Sequence, residues 1–264
     1  MTGPPSAAGK RGTRLSYNVD SGSYRFTVHG CRLEELEMQP RLWRAALSLA
    51  AILAAAALSA FQEAQSPAKE QSGGGWKSMF DGTSLQGWKE TPFTGRGKVG
   101  VADGTIILGD GVLTGITWTS SFPKSNYEVR LEAARVDGYD FFAGITFPVH
   151  DSHCSWINGG WGGSLVGLSS LNDEDASENE TATTHDFEKG RWYALRLRVT
   201  DDRIQAWIGE EPVIDAYIGD KQVGLRPGEI DLSRPFGIAS YSTTAKLRKL
   251  EYRLISPSGD GNDK

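Results

Sequence analysis

The chain has 264 residues, 39% of them hydrophobic and 23% charged, with 28 Lys+Arg against 33 Asp+Glu and a formal net charge of −5. Those fractions are those of an ordinary globular protein. The negative balance and the lack of any Lys/Arg run argue against phosphate-backbone binding, so no nucleic-acid partner is expected, whereas neutral ligands such as sugars are compatible.

Residues 1–37 read as an upstream extension or a misassigned start, because Met38 opens the segment that follows. That segment, 38–60, has Arg41 and Arg44 ahead of an uncharged run from Ala45 to Ala60, with small residues at Ala57-Leu58-Ser59. A basic region, an apolar region and a small-residue exit describe a secretory signal peptide, which predicts a periplasmic or secreted protein. The alternative is an uncleaved signal anchor, since the run reaches the lower length limit for a membrane span; it is the one expected membrane contact. Removal of the segment takes Cys31 with it and leaves Cys154 as a single thiol, so no disulfide is expected. Residues 61–75 are polar and Gly/Ser-rich, a flexible linker. The folded domain spans 76–255, and 256–264 is a polar, disordered tail.

Within the domain, period-two alternation dominates. Tyr127, Val129, Leu131 and Ala133 face one way, and Glu128, Arg130 and Glu132 the other. Tyr193, Leu195, Leu197 and Val199 repeat this against Arg196 and Arg198. Asp201-Asp202 joins that strand to Arg203–Ile208 as a hairpin. Further strands are predicted at 76–80, 105–108, 112–118, 213–218, 236–241 and 247–255, with turns at Asp81-Gly82 and Asp103-Gly104. Ten to twelve short strands with turn signals indicate an antiparallel sandwich or jelly roll, and roughly 180 residues suffice to bury about 70% of the unfolded surface without a disulfide.

The opening Phe80-Asp-Gly-Thr-Ser-Leu-Gln-Gly-Trp88 resembles the first motif of the DUF1080 family, the 3-keto-disaccharide hydrolase or 3-keto-glucoside lyase/hydratase domain. Asn126–Glu132, Ala143-Gly-Ile145, Arg203-Ile-Gln-Ala-Trp207, Phe236-Gly-Ile-Ala239 and Lys246–Ile255 are similar to later family strands, in the family's order. The resemblance implies an all-β, concanavalin A-like antiparallel β-sandwich and an exported hydrolase or lyase acting on (3-keto-)glycosides. Two features depart from the family: Thr146-Phe-Pro148 stands where an Arg is usual, and Gly163–Leu168 lacks the expected carboxylate. The same sandwich also serves non-catalytic glycan-binding modules of the lectin or laminin-G kind, which is the alternative reading.

The stretch His150–Trp161 reads as a loop rich in chemistry. His150, Asp151, His153 and Cys154 are all metal-ligand types, although their spacing matches no zinc signature. The stretch is open to three readings: a solvated loop, a divalent-metal or acid–base site built on His150, Asp151 and His153, or redox or covalent use of Cys154. Only His185 and Asp186 offer distant further ligands. Trp156, Asn158 and Trp161 are candidate sugar-binding residues, because indole faces stack on sugar rings and an amide both donates and accepts; the alternative is that the tryptophans cap the sheet edge. Glu132 is a further candidate base and Glu128 a candidate substrate ligand. These two lie on one face ~13 Å apart, too far for a paired dyad, and pairing with Arg196 and Arg198 across the sheet is the structural reading. Asn172–Glu180 holds five acids, a cation-binding loop or a solvated one, and Asn179-Glu-Thr181 matches the N-glycosylation pattern.

Overall fold

The computed structural model describes the backbone of residues 16–20 and 23–27, and residues 75–256 in full. The 38–60 segment, linker positions 61–74 and the tail from 257 lie outside the described residues. In the upstream extension, where sequence patterning assigned no element, β1 (Ser16–Asp20) pairs antiparallel with β2 (Ser23–Thr27), in a register that sets Tyr17 against Phe26 and Val19 against Tyr24.

The larger unit is all-β, apart from a short 3₁₀ turn, η1 (Glu229–Ser233). Its strands are β3 (Lys77–Ser78), β4 (Trp88–Glu90), β5 (Val99–Ala102), β6 (Thr105–Leu108), β7 (Thr114–Trp118), β8 (Tyr127–Gly138), β9 (Gly144–Val149), β10 (Ser152–Gly160), β11 (Leu165–Ser169), β12 (Thr183–Thr184), β13 (Trp192–Val199), β14 (Arg203–Ile208), β15 (Glu211–Tyr217), β16 (Gly237–Ser240) and β17 (Thr243–Leu254). They form two antiparallel sheets in the orders β12-β11-β10-β9-β16-β7-β4 and β15-β14-β13-β8-β17-β6-β5, with β3 added beside β17. Hairpin-linked neighbours alternate in these orders with long crossovers such as β9-β16, β16-β7, β13-β8 and β8-β17, which is the topology of a jelly-roll sandwich. The expected fold class therefore holds, and Asp201-Asp202 does join a hairpin, β13–β14.

Alternation assigns the core. Tyr127, Val129, Leu131 and Ala133 of β8 meet Tyr193, Leu195, Leu197 and Val199 of β13 on the inner face of one sheet, and Ile145, Phe147, Cys154, Trp156, Val166 and Leu168 line the inner face of the other. Phe122 stacks on Phe236 at 4.5 Å between ring centres, and Trp88 meets Trp118 edge-on at 5.1 Å. The Trp88 indole N–H donates to the Met79 carbonyl at 2.6 Å, which closes the turn that carries the family-like opening motif.

On the outer face of the eight-stranded sheet, residues from distant parts of the chain build an ionic ladder. Glu128 is fully buried; one carboxylate oxygen accepts from Arg198 Nε at 2.5 Å and the other from Arg253 Nε at 2.6 Å. Glu132 accepts from Arg248 at 2.6 Å and Lys249 at 2.7 Å, and Glu251 from Arg130 at 2.6 Å. Indoles flank the guanidiniums: Arg196 lies 3.9 Å from the Trp207 ring, Arg248 4.0 Å from Trp192 and Arg130 4.1 Å from Trp76. The sequence shows no Lys/Arg run, yet pairing of β8, β13 and β17 brings Arg130, Arg196, Arg198, Arg248 and Arg253 together. The expected ladder forms for Glu128 with Arg198, while Glu132 is held by β17 instead of by Arg196.

Removing a buried carboxylate strands its cationic partners, at a typical cost of about 3–5 kcal/mol. The arginines around Glu128 are 12–35% exposed, which moves the expectation to the low end. Glu128→Ala is expected to lose about 3 kcal/mol of unfolding free energy, read from urea denaturation midpoints at constant m-value; a loss under about 1 kcal/mol would show that solvent already screens the cluster.

Candidate functional site

The stretch read as a loop is a two-residue turn followed by a strand. His150 and Asp151 form the turn between β9 and β10, with His150 in the left-handed region at φ 52°, where His is tolerated better than most residues. From Ser152 onward the chain pairs with β9 on one side and β11 on the other, and its pleat sorts the candidates by face.

Cys154, Trp156 and Asn158 point inward. All three are wholly buried, and Asn158 Nδ2 donates to the Ala143 carbonyl at 3.0 Å. Trp156 and Asn158 are therefore core residues and do not form a ligand wall. Burial pushes the Cys154 thiol up to about 12, which leaves it protonated and inert and removes the covalent reading. Glu128, the other proposed sugar ligand, is sealed in the ladder, and Glu132 lies on the outer face of the other sheet. Neither lines the cleft described below.

The metal candidates do not converge. His150 Nε2 bonds the Asp201 carbonyl oxygen at 2.8 Å, Asp151 accepts from Lys124 at 2.7 Å, and His153 feels Arg234 and Asp231 near η1. His185 sits 3.5 Å from Glu211 and packs edge-on to Tyr193. Among the described residues no three His, Cys, Asp or Glu side chains meet as a metal site. The acidic loop is not a cation site either. Asp175 accepts from Ser169 Oγ, the Ala176 amide and Arg226; Asp173 accepts from Gln222; Glu180 pairs with Lys221. Asn179 is buried with its amide nitrogen donating to the Leu168, Glu174 and Asp175 carbonyls, so the apparent glycosylation acceptor is committed to internal structure.

The outward face of the same strands carries the cavity. Paired positions across β11, β10, β9, β16 and β7 read Ser169, Ser155, Thr146, Gly237 and Thr117. These side chains are small, and Thr146 and Ser155 share a hydroxyl–hydroxyl hydrogen bond of 2.9 Å. Segments of chain settle on both flanks. A Cβ on Gly237 would lie 2.7 Å from the Ser233 carbonyl oxygen, and one on Gly167 would lie 2.6 Å from that of Ala176. Between the flanks a cleft of about 380 Å³ stays open, floored by Ser155, Ile157 and Ser169 and walled by Asp140, Phe141, Trp161, Arg226, Glu229 and Tyr241.

Its polar groups are fixed from behind. Arg226 Nη1 donates to Asp175 at 2.5 Å while its guanidinium lies 5.6 Å from the Trp161 ring. Glu229 accepts from the Thr94 hydroxyl at 2.5 Å and the Thr94 amide at 2.8 Å, bonds that hold its carboxyl below the usual range. Asp140 Oδ1 accepts from the Phe141 amide at 2.8 Å. Trp161 is 44% exposed and Tyr241 41%, so each residue keeps surface open to a ligand. Of the sequence-nominated residues, Trp161 alone lines the cleft, and His153 shares the outward face of β10. Asp140, Arg226, Glu229 and Tyr241 were missed because three separate loops supply them. The one local signal was the outward alternation of Ser155 and Ile157 between Cys154, Trp156 and Asn158.

His153 gives a pH test. Burial, then the Arg234 charge, lowers its pKa below the ordinary value. The unfolded chain then binds the proton more tightly than the folded one, so stability is full above about pH 6.5 and declines as pH falls toward the folded-state pKa. His153→Gln is expected to flatten that decline in thermal melts from pH 7 to pH 5, and the native His153 ring resonance is expected to titrate below the ordinary value. A midpoint above it would contradict the desolvated setting.

A family model described as 3-keto-alpha-glucoside-1,2-lyase-like domain matches residues 75–253. No curated protein matches the chain. Similar solved structures include a putative glycosyl hydrolase from Parabacteroides distasonis ATCC 8503 (13% identity, TM-score 0.44, covering 69% of this chain and 94% of that one). Another is the carbohydrate binding module CBM66 from Bacillus subtilis (15%, TM-score 0.41, 63% and 95%). A third is domain 4 of AbnA, a GH43 extracellular arabinanase from Geobacillus stearothermophilus, in complex with arabinotriose (14%, TM-score 0.43, 65% and 84%).

Proposed function

The chain belongs to the 3-keto-alpha-glucoside-1,2-lyase-like family, and on that premise we propose that it cleaves 3-keto-glycosides in the cleft over β9–β11. The observation that carries the reading is one cleft lined by a carboxylate, a guanidinium and two exposed aromatic rings, namely Asp140, Arg226, Trp161 and Tyr241. Its volume is within the range of small-ligand sites. Aromatic faces suit the apolar faces of sugar rings, and the Ser155 and Ser169 hydroxyls suit ring hydroxyls.

A 3-keto group acidifies the proton on C2. In the proposed reaction the Asp140 carboxylate removes that proton, and the C2–H pair becomes the C2=C3 bond of an enolate. The developing charge on the ketone oxygen is met by Arg226, which Asp175 keeps in place. Collapse of the enolate forms C1=C2 and breaks the bond from C1 to the glycosidic oxygen. The leaving oxygen takes a proton from the Asp140 carboxylic acid. Water adding across C1=C2 completes hydrolysis. Asp140 is preferred over Glu229 as base because Thr94 occupies both Glu229 oxygens and stabilises its ionised form. Arg226 and Asp140 would thus supply from loops the guanidinium and carboxylate that the strands lack. The proposal includes export through the 38–60 segment to a periplasmic or secreted location.

A second reading, a glycan-binding module without turnover, is favoured by the same rigidity: Glu229 and Arg226 are both held by protein partners. Incubation with 3-keto-glucosides, with and without chelator, separates the two. The lyase reading expects turnover that survives chelation, with Asp140→Asn lowering kcat by about 10²–10⁴ and KM little changed. Glycan binding without turnover would establish the module instead. Turnover that vanishes with chelator and returns with a divalent ion would overturn the metal-independent mechanism.

A further inference from the structure

Arg135 is an arginine in the wrong place for a sandwich of this kind. It is 5% exposed, near the end of β8, and no carboxylate bonds it among the described residues. Its guanidinium stands 5.4 Å from the Phe142 ring and 5.8 Å from Phe187. Its Nη2 donates to the Gly159 carbonyl at 3.0 Å and the Gly163 carbonyl at 2.7 Å. Those carbonyls bracket the β10–β11 turn, and Trp161 sits between them.

The turn needs such a hold. Trp161 has φ 47°, Gly162 91° and Gly163 113°, and the left-handed region is unfavourable for a bulky residue such as Trp. The Gly163 amide donates to the Gly160 carbonyl at 3.1 Å, and the His185 amide to Ser164 at 2.9 Å. The glycines are fitted to the arginine: a Cβ on Gly159 would lie 2.3 Å from Arg135 Nη2, and one on Gly163 3.1 Å from Nη1. Burying a guanidinium carries a desolvation cost that its hydrogen bonds to carbonyls offset. What this one supplies is a fixed shape for the turn.

We propose that Arg135 is a positioning residue of the cleft: its two hydrogen bonds staple the β10–β11 turn and set the Trp161 ring over the sugar site. The inference rests on the reading of the cleft as a sugar site, but the staple itself can be tested without a ligand. In ¹⁵N-labelled protein the Trp161 indole N–H signal is assigned by its loss in Trp161→Ala. Arg135→Met is expected to shift that signal, and Arg135→Lys, which keeps a charge and a donor, to shift it less. Affinity is then measured for methyl 3-keto-α-glucoside. Arg135→Met and Trp161→Ala are each expected to weaken binding about tenfold, and the double variant no more than Trp161→Ala alone, the non-additivity of coupled residues. An unmoved Trp161 signal in both Arg135 variants, or single effects that multiply in the double variant, would overturn the proposal. If Arg135→Met does not fold, Arg135→Lys and Gly163→Ala, which crowds the same guanidinium, carry the test. If Trp161→Ala binds like the parent while Arg135→Met still shifts the indole, the sugar-site reading fails and the staple stands.

Discussion

Along β10, Cys154, Trp156 and Asn158 point between the sheets while His153, Ser155 and Ile157 point away from them, and the organisation of the site follows from that pleat. The inward set fills the core and ties to Ala143. The outward side chain at Ser155 is short, and the positions in register with it across the sheet, Ser169, Thr146, Gly237 and Thr117, are short as well. A register slip of one residue would place Trp156 in the cleft and Ser155 in the core. Small side chains in this row are what let η1 and the 171–182 segment settle on the flanks and leave a hollow between them.

The two sheets divide the labour. The eight-stranded sheet covers its outer face with guanidinium, carboxylate and indole groups, whose mutual bonds leave a self-contained surface. The seven-stranded sheet leaves hydroxyls and backbone on its outer face and takes its charged groups from loops. Asp175 links these parts, because one of its oxygens accepts from Ser169 on the floor and the other from Arg226 on the wall. Arg135 crosses from β8 to the β10–β11 turn, so the sheet remote from the cleft also helps to shape it.

The fold was largely legible in the sequence. Alternation in 127–133 and 193–199, together with the Phe80–Trp88 motif, pointed to the sandwich and its family, since a half-buried strand leaves a strong local signature. The site was much less so. His150, Asp151 and His153 are close in sequence but diverge in space, because turn and pleat send them to different partners. Trp156 and Trp161 are five positions apart, yet one is core and the other rim; the glycines beside Trp161 hint at the turn but do not say which indole emerges. Asp140, Arg226, Glu229 and Tyr241 meet only after three loops fold onto one sheet, and nothing local marks them.

Titrating methyl 3-keto-α-glucoside into ¹⁵N-labelled protein, with backbone and indole signals followed together, tests most directly whether ligand enters over β9–β11 rather than on the ionic face. Entry over β9–β11 gives progressive shifts at Thr146, Ser155, Ile157, Ser169, Arg226 and the Trp161 indole, with Trp76, Trp192 and Trp207 unmoved. Shifts confined to those three indoles and the strands beneath them would contradict it.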